Sequence, residues 1–93
     1  MSENATVHVV LKGRVQMVGF RWFAYQWAGD YDLSGWVKNN IDGTVEIEVE
    51  GKKSRIESFI KEVRRGPRFA LVDNVDIKWK SFQNEYRKFE IRY

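Results

Sequence analysis

Hydrophobic spacing switches between a period of two and a period near 3.6 in a fixed order along these 93 residues, and that order constrains the fold more than any other feature. Val7, Val9 and Leu11 alternate with His8, Val10 and Lys12, the pattern of a strand with one buried face. From Phe20 the period lengthens. Phe20, Phe23, Ala24, Trp27, Ala28 and Tyr31 recur at spacings of three and four, which predicts an amphipathic helix ending near Asp32. A short strand follows over Gly35-Trp36-Val37-Lys38-Asn39, and Asn40-Ile41-Asp42-Gly43 reads as a hairpin turn whose Asp-Gly pair supplies positive φ. Thr44 to Glu50 form the partner strand, with Val45, Ile47 and Val49 inward and Glu46, Glu48 and Glu50 outward. A second helix is predicted from about Lys53 to Arg65 on the stripe Ile56, Phe59, Ile60 and Val63. Ser54 and Glu57 have the spacing of a capping box, and Gly66-Pro67 stops the helix. Val75, Ile77 and Trp79, then Phe89, Ile91 and Tyr93, mark two closing strands.

The order is β-α-β-β-α-β with an additional terminal strand. It predicts an α+β, ferredoxin-like two-layer sandwich, a mostly antiparallel sheet covered by two helices on one face. Residues 1–93 are expected to form a single domain, because the chain is too short for two independent cores. With 43% hydrophobic residues, one Pro and fourteen aromatics, there is ample core material and no sign of disorder. The absence of Cys and the single His exclude disulfide frameworks, thiolate nucleophiles and the usual Cys/His zinc sites, so the expectation is no metal. No run reaches the roughly 18 apolar residues of a membrane span, and Met1-Ser2-Glu3-Asn4 lacks the regions of a signal peptide. A cytoplasmic monomer without a membrane partner is expected. Net charge is +3 but unevenly spread: residues 1–51 hold four basic and seven acidic side chains, residues 52–93 twelve and six. Such a bias suits a polyanion partner or simply a solvated surface.

The connection Gly13-Arg14-Val15-Gln16-Met17-Val18-Gly19-Phe20-Arg21 carries the most chemical information. Its glycines flank a short loop at a helix N-terminus, where unpaired N–H groups and the helix dipole favour an anion. Arg21 can add a forked pair of charge-assisted hydrogen bonds to phosphate oxygens, though the same residues also suit a plain turn beside a surface arginine. If the second strand lies centrally, Asn39 at its end comes close to this loop and can orient a water; a turn-forming Asn is the other reading.

GRVQMVGFR at residues 13–21 and GWVKN at residues 35–39, followed by DGTVE, resemble the two signature segments of the acylphosphatases. The hydrophobic pattern is similar to that family over nearly the whole chain. The resemblance implies hydrolysis of acyl phosphates to a carboxylate and inorganic phosphate, with no metal or organic cofactor. It also implies that Arg21 binds phosphate, that Asn39 orients the water, and that the backbone N–H groups of Gln16, Met17, Val18, Gly19 and Phe20 cradle the phosphate. A carboxylate is already a good leaving group, so positioning and charge stabilisation suffice for in-line attack. No side chain in these motifs is an obvious base, and a substrate phosphate oxygen is expected to take the proton.

Met17 departs from the family pattern, which usually has Gly there. A left-handed Met costs roughly 1–2 kcal/mol, so a catalytically weakened phosphate- or anion-binding domain is the alternative reading. An RNA-binding module of the same topology is a third; it needs aromatics on the central strands, whereas Thr44 to Glu50 offers three glutamates. Lone His8 reads as an ordinary strand residue, and Trp22, Trp27, Trp36 and Trp79 as packing.

Overall fold

The computed structural model describes residues 3–93. Its elements are β1 (Asn4–Arg14), α1 (Phe20–Asp30), β2 (Ser34–Asn39), β3 (Val45–Lys52), α2 (Lys53–Arg65), β4 (Leu71–Ser81) and β5 (Phe89–Arg92). They build the α+β, ferredoxin-like architecture that the hydrophobic periods predict. The five strands lie in the order β4-β1-β3-β2-β5. All neighbours are antiparallel except β2 and β5, which run parallel.

Register puts the fully buried apolar residues of β1, β2 and β3 on one face. Val7 pairs with Val49, Val9 with Ile47 and Leu11 with Val45, and Val37 stands opposite Ile47. All seven are fully buried beneath Phe20, Ala24 and Ala28 of α1 and Ile56, Phe59, Ile60 and Val63 of α2. Each large side chain so removed from water stabilises the fold by about 1.5–3 kcal/mol.

Three expectations change. The central strand is β3, not β2; β2 stays interior only because β5 adds itself along its far side. The capping box is absent. Lys52 occupies the N-cap without a side-chain bond, Ser54 lies inside the helix, and the Lys53 N–H donates to Glu3 O at 2.9 Å. Pairing of Asn4 with Lys52 carries β3 up to the helix start, and the residue just before β1 thus supplies the acceptor that a cap would.

The third change concerns the glutamates. Glu48 and Glu50 point away from the helices, yet are only 6% and 3% exposed. To reach the far edge from β4, residues 82–88 cross that face of the sheet, and the two carboxylates pin them there. Glu50 Oε1 accepts the N–H groups of Glu85 (2.8 Å) and Tyr86 (3.1 Å). Its Oε2 accepts the Thr6 hydroxyl (2.8 Å) and the Gln83 N–H (3.2 Å). Glu48 accepts the Tyr86 hydroxyl at 2.7 Å and Lys80 Nζ at 2.9 Å, and lies 3.0 Å from His8 Nδ1. Burial alone would raise the Glu48 pKa, but bonds from Tyr86, His8 and Lys80 outweigh it and hold the carboxyl at about 2. Burial and the bond to Glu48 push the Tyr86 phenol up to about 12.

Candidate active site

The loop between β1 and α1 is held by two buried apolar residues, Val15 and Phe20. Just before it, the β1–β4 register shifts between Lys12 and Gly13. Gly13 has φ 125, and a Cβ there would stand 2.2 Å from the Leu71 carbonyl oxygen, so only glycine fits this bulge. Between the anchors the chain turns outward through two left-handed residues, Met17 (φ 62) and Gly19 (φ 77). Gly19 is the N-cap of α1 and brings no capping side chain. Among the described residues, the backbone N–H groups of Gln16, Met17, Val18, Gly19 and Phe20 donate to no protein acceptor. A row of unpaired donors at the positive end of a helix favours an anion.

Arg21 follows in the first turn of α1. Among the described residues no carboxylate pairs with it. Its guanidinium carbon lies 4.6 Å from the centre of the Tyr93 ring, a cation–π contact that holds the side chain without neutralising it. Asn39 ends β2 opposite Val45, on the helix side of the sheet. Its Oδ1 is buried and has no hydrogen-bond partner among the described residues. A cavity of about 250 Å³ brings these parts together, lined by Met17, Gly19, Phe20, Arg21, Asn39 and Tyr93 among others. Gln16 and Val18 do not line it. The Gln16 amide turns instead to the β2–β3 turn, donating to Asn40 O at 2.7 Å and Thr44 O at 3.0 Å. In that turn the Thr44 hydroxyl and N–H both donate to Asp42, at 2.7 and 3.0 Å, and lower the Asp42 pKa.

Tyr93, Ile91 and Trp22 also border the cavity, although the sequence pattern alone marks them only as packing or strand-alternation residues. The parallel pairing of Val37 with Ile91 brings the end of β5 here, and no local pattern announces which strand β5 joins. Among the described residues, no group of three or more His, Cys, Asp or Glu stands where it could hold a metal ion.

A ferredoxin-like sandwich whose first loop offers backbone donors to an anion, beside an unpaired arginine, defines a phosphate-handling class of protein. Comparison with known proteins narrows that class. The acylphosphatase family model matches residues 7–91. The acylphosphatase of Geobacillus kaustophilus is 44% identical over 87 residues, covering 94% of this chain and 93% of that one. The crystal structure of acylphosphatase from Bacillus subtilis superposes with a TM-score of 0.93 at 36% identity, over 96% of this chain and 99% of that one. The chain is also similar, at 33% identity and a TM-score of 0.90, to 12% of full-length HypF in its phosphate- and nucleotide-bound form. The chain belongs to the acylphosphatase family.

Proposed function

We propose that the protein hydrolyses the carboxyl–phosphate bond of acyl phosphates, releasing a carboxylate and inorganic phosphate, with Arg21 and Asn39 as its catalytic residues. The observation that carries the reading is the buried, unpartnered Asn39 Oδ1 in the same cavity as Arg21 and the loop of unpaired N–H groups. An amide oxygen buried without a donor is costly unless function supplies one, and a water hydrogen is a suitable donor.

The N–H groups of residues 16–20 and the Arg21 guanidinium grip the phosphoryl oxygens. Asn39 Oδ1 accepts a hydrogen bond from the attacking water and aims its oxygen at phosphorus. As the water oxygen bonds to phosphorus, the bond from phosphorus to the acyl oxygen breaks and the carboxylate departs with that electron pair. The water proton passes to a phosphoryl oxygen, so no general base is needed. The chain's own contribution is orientation plus donors fixed in advance where charge redistributes.

One chain supplies every part of this cavity, so a monomer of one domain suffices. A cytoplasmic setting is part of this proposal. No helix among the described residues is long and apolar enough to cross a membrane. Nucleic-acid binding is disfavoured, because residues 82–88 occupy the sheet face on which an RNA-binding module stacks bases.

The test is spectrophotometric: benzoyl phosphate hydrolysis by the purified protein, with chelator present, is expected well above the spontaneous rate. A folded protein that binds inorganic phosphate yet leaves benzoyl phosphate intact would instead be the anion-binding relative that Met17 raises.

A further inference from the structure

The Gln16 side chain reaches two carbonyls that lie 24 and 28 residues further along the sequence. Its single amide nitrogen carries two hydrogens and has one carbonyl for each, Asn40 O and Thr44 O. Both carbonyls are already satisfied. Asn40 O accepts the Gly43 N–H at 3.1 Å, and Thr44 O accepts the Asn40 N–H at 2.9 Å. Asn40 Nδ2 further braces Thr44 Oγ1 at 2.9 Å, and Thr44 in turn bonds Asp42. The turn therefore closes without Gln16, and deleting the amide leaves no buried acceptor there without a donor.

What the amide adds is a link between the β1–α1 loop and the β2–β3 turn. On one side Gln16 is the covalent neighbour of Met17, in the segment whose N–H groups are unpaired. On the other it grips both flanks of Asn39: Asn40 is the next residue, and Thr44 immediately precedes Val45, the register partner of Asn39. We infer that Gln16 is a positioning residue, whose side-chain amide locks the phosphate loop to the strand end carrying Asn39. It would thereby fix the distance between the bound phosphoryl group and the attacking water. This inference rests on the acylphosphatase reading and is separate from any part the Gln16 backbone N–H plays.

A double-mutant cycle tests it. The kcat for benzoyl phosphate and the inhibition constant of inorganic phosphate are measured for wild type, Gln16→Met, Asn39→Ala and the double variant. Methionine keeps the length and apolar stem and removes both donors. A slip of about 1 Å between reactants costs on the order of 10² in rate, so Gln16→Met is expected to lower kcat by about 10- to 100-fold. Phosphate inhibition should stay within about 3-fold, because each half of the site still binds by itself. In the Asn39→Ala background the same change should cost less than about 3-fold, since no held water remains to misalign. Wild-type kcat in Gln16→Met, a fully multiplicative loss in the double variant, or a loss that tracks weakened phosphate inhibition would each overturn the inference. If Gln16→Met fails to fold by circular dichroism, Gln16→Asn, whose shorter amide cannot span the gap, is read the same way; failure of both to fold makes Gln16 structural and also overturns it. A wild type that hydrolyses no acyl phosphate overturns the parent reading, whereas an active wild type beside an unaffected Gln16→Met overturns this inference alone.

Discussion

Replacing Met17 by glycine isolates the cost of a left-handed side chain in the phosphate loop. Met17 sits at φ 62 with its side chain fully exposed to solvent. Truncation therefore uncovers no buried apolar surface. Releasing a left-handed Cβ is worth roughly 1–2 kcal/mol, while the greater freedom of glycine in the unfolded chain takes back about 0.4–1 kcal/mol. The net expectation is a gain of up to about 1.5 kcal/mol, seen as a rise of up to roughly 10 °C in Tm for a domain of this size. Activity should respond less. The sequence leaves two possibilities, a loop distorted by Met or a residue at negative φ facing solvent, and the structure combines their halves: φ is positive and the side chain faces solvent. With the left-handed turn already made, the strain is charged to stability, not to the aim of the N–H groups. Turnover of benzoyl phosphate and phosphate inhibition are thus expected within about 3-fold of wild type. Urea unfolding beside steady-state kinetics on the same preparations checks both parts. A turnover gain of about 10-fold or more in the glycine variant would show the N–H groups displaced by Met and refute this reasoning.

Four further outcomes are expected. Arg21→Ala should abolish measurable turnover and weaken phosphate inhibition by about 10-fold or more, the scale of a lost charge-assisted bond, with circular dichroism unchanged. Asn39→Ala should lower kcat by roughly 10² while phosphate inhibition barely moves, which steady-state kinetics with and without phosphate resolves. Glu48, held at about 2 in the fold against an ordinary 4.5, has a lowered folded pKa, so its contribution is present above pH 4.5 and lost as pH falls toward 2. That contribution amounts to about 3 kcal/mol, and urea unfolding across this window should show a shallower acid limb in Glu48→Gln. Gly35→Ala should cost about 4 kcal/mol or more by the same method, because φ is 141 and the new Cβ would stand 1.9 Å from the Glu48 carbonyl oxygen.

Much of the fold is legible because burial on one face imposes a period, as in Val7-Val9-Leu11 or Ile56-Phe59-Ile60-Val63. What escapes is whatever depends on distant chain. Alternation correctly turns Glu48 and Glu50 away from the helices and implies solvent exposure; that exposure fails because residues 82–88, which have no periodicity of their own, run across them. Ser54 and Glu57 have the spacing of a capping box, yet Glu3, just before β1, supplies the acceptor. At the candidate site Gly13, Gly19 and Arg21 are locally readable as loop, cap and cation. For Asn39 the sequence leaves a water-orienting and a turn-forming reading side by side, and only the resemblance chooses between them, since nothing in GWVKN tells which side chain meets the loop. Tyr93 and the bracing role of Gln16 require the tertiary pairing itself.

The same crossing segment that hides the glutamates also completes the cavity. Gly35 N–H donates to Lys88 O at 3.0 Å where residues 82–88 rejoin the sheet, and from there β5 runs parallel to β2. A parallel neighbour cannot be reached by a tight turn, so a chain leaving β4 on the far edge must pass across one face of the sheet. The helices fill the other face, which leaves the side bearing Thr6, Glu48 and Glu50. A crossing backbone has N–H groups that need acceptors away from water, and the buried Glu50 carboxylate supplies them where an apolar residue could not, while Glu48 takes the Tyr86 hydroxyl. Because β2 and β5 run the same way, the end of β5 arrives beside the end of β2, setting Tyr93 against Arg21 on the side where Asn39 stands. The polar pins on one face of the sheet are thus the means by which an aromatic ring comes to hold the arginine on the other.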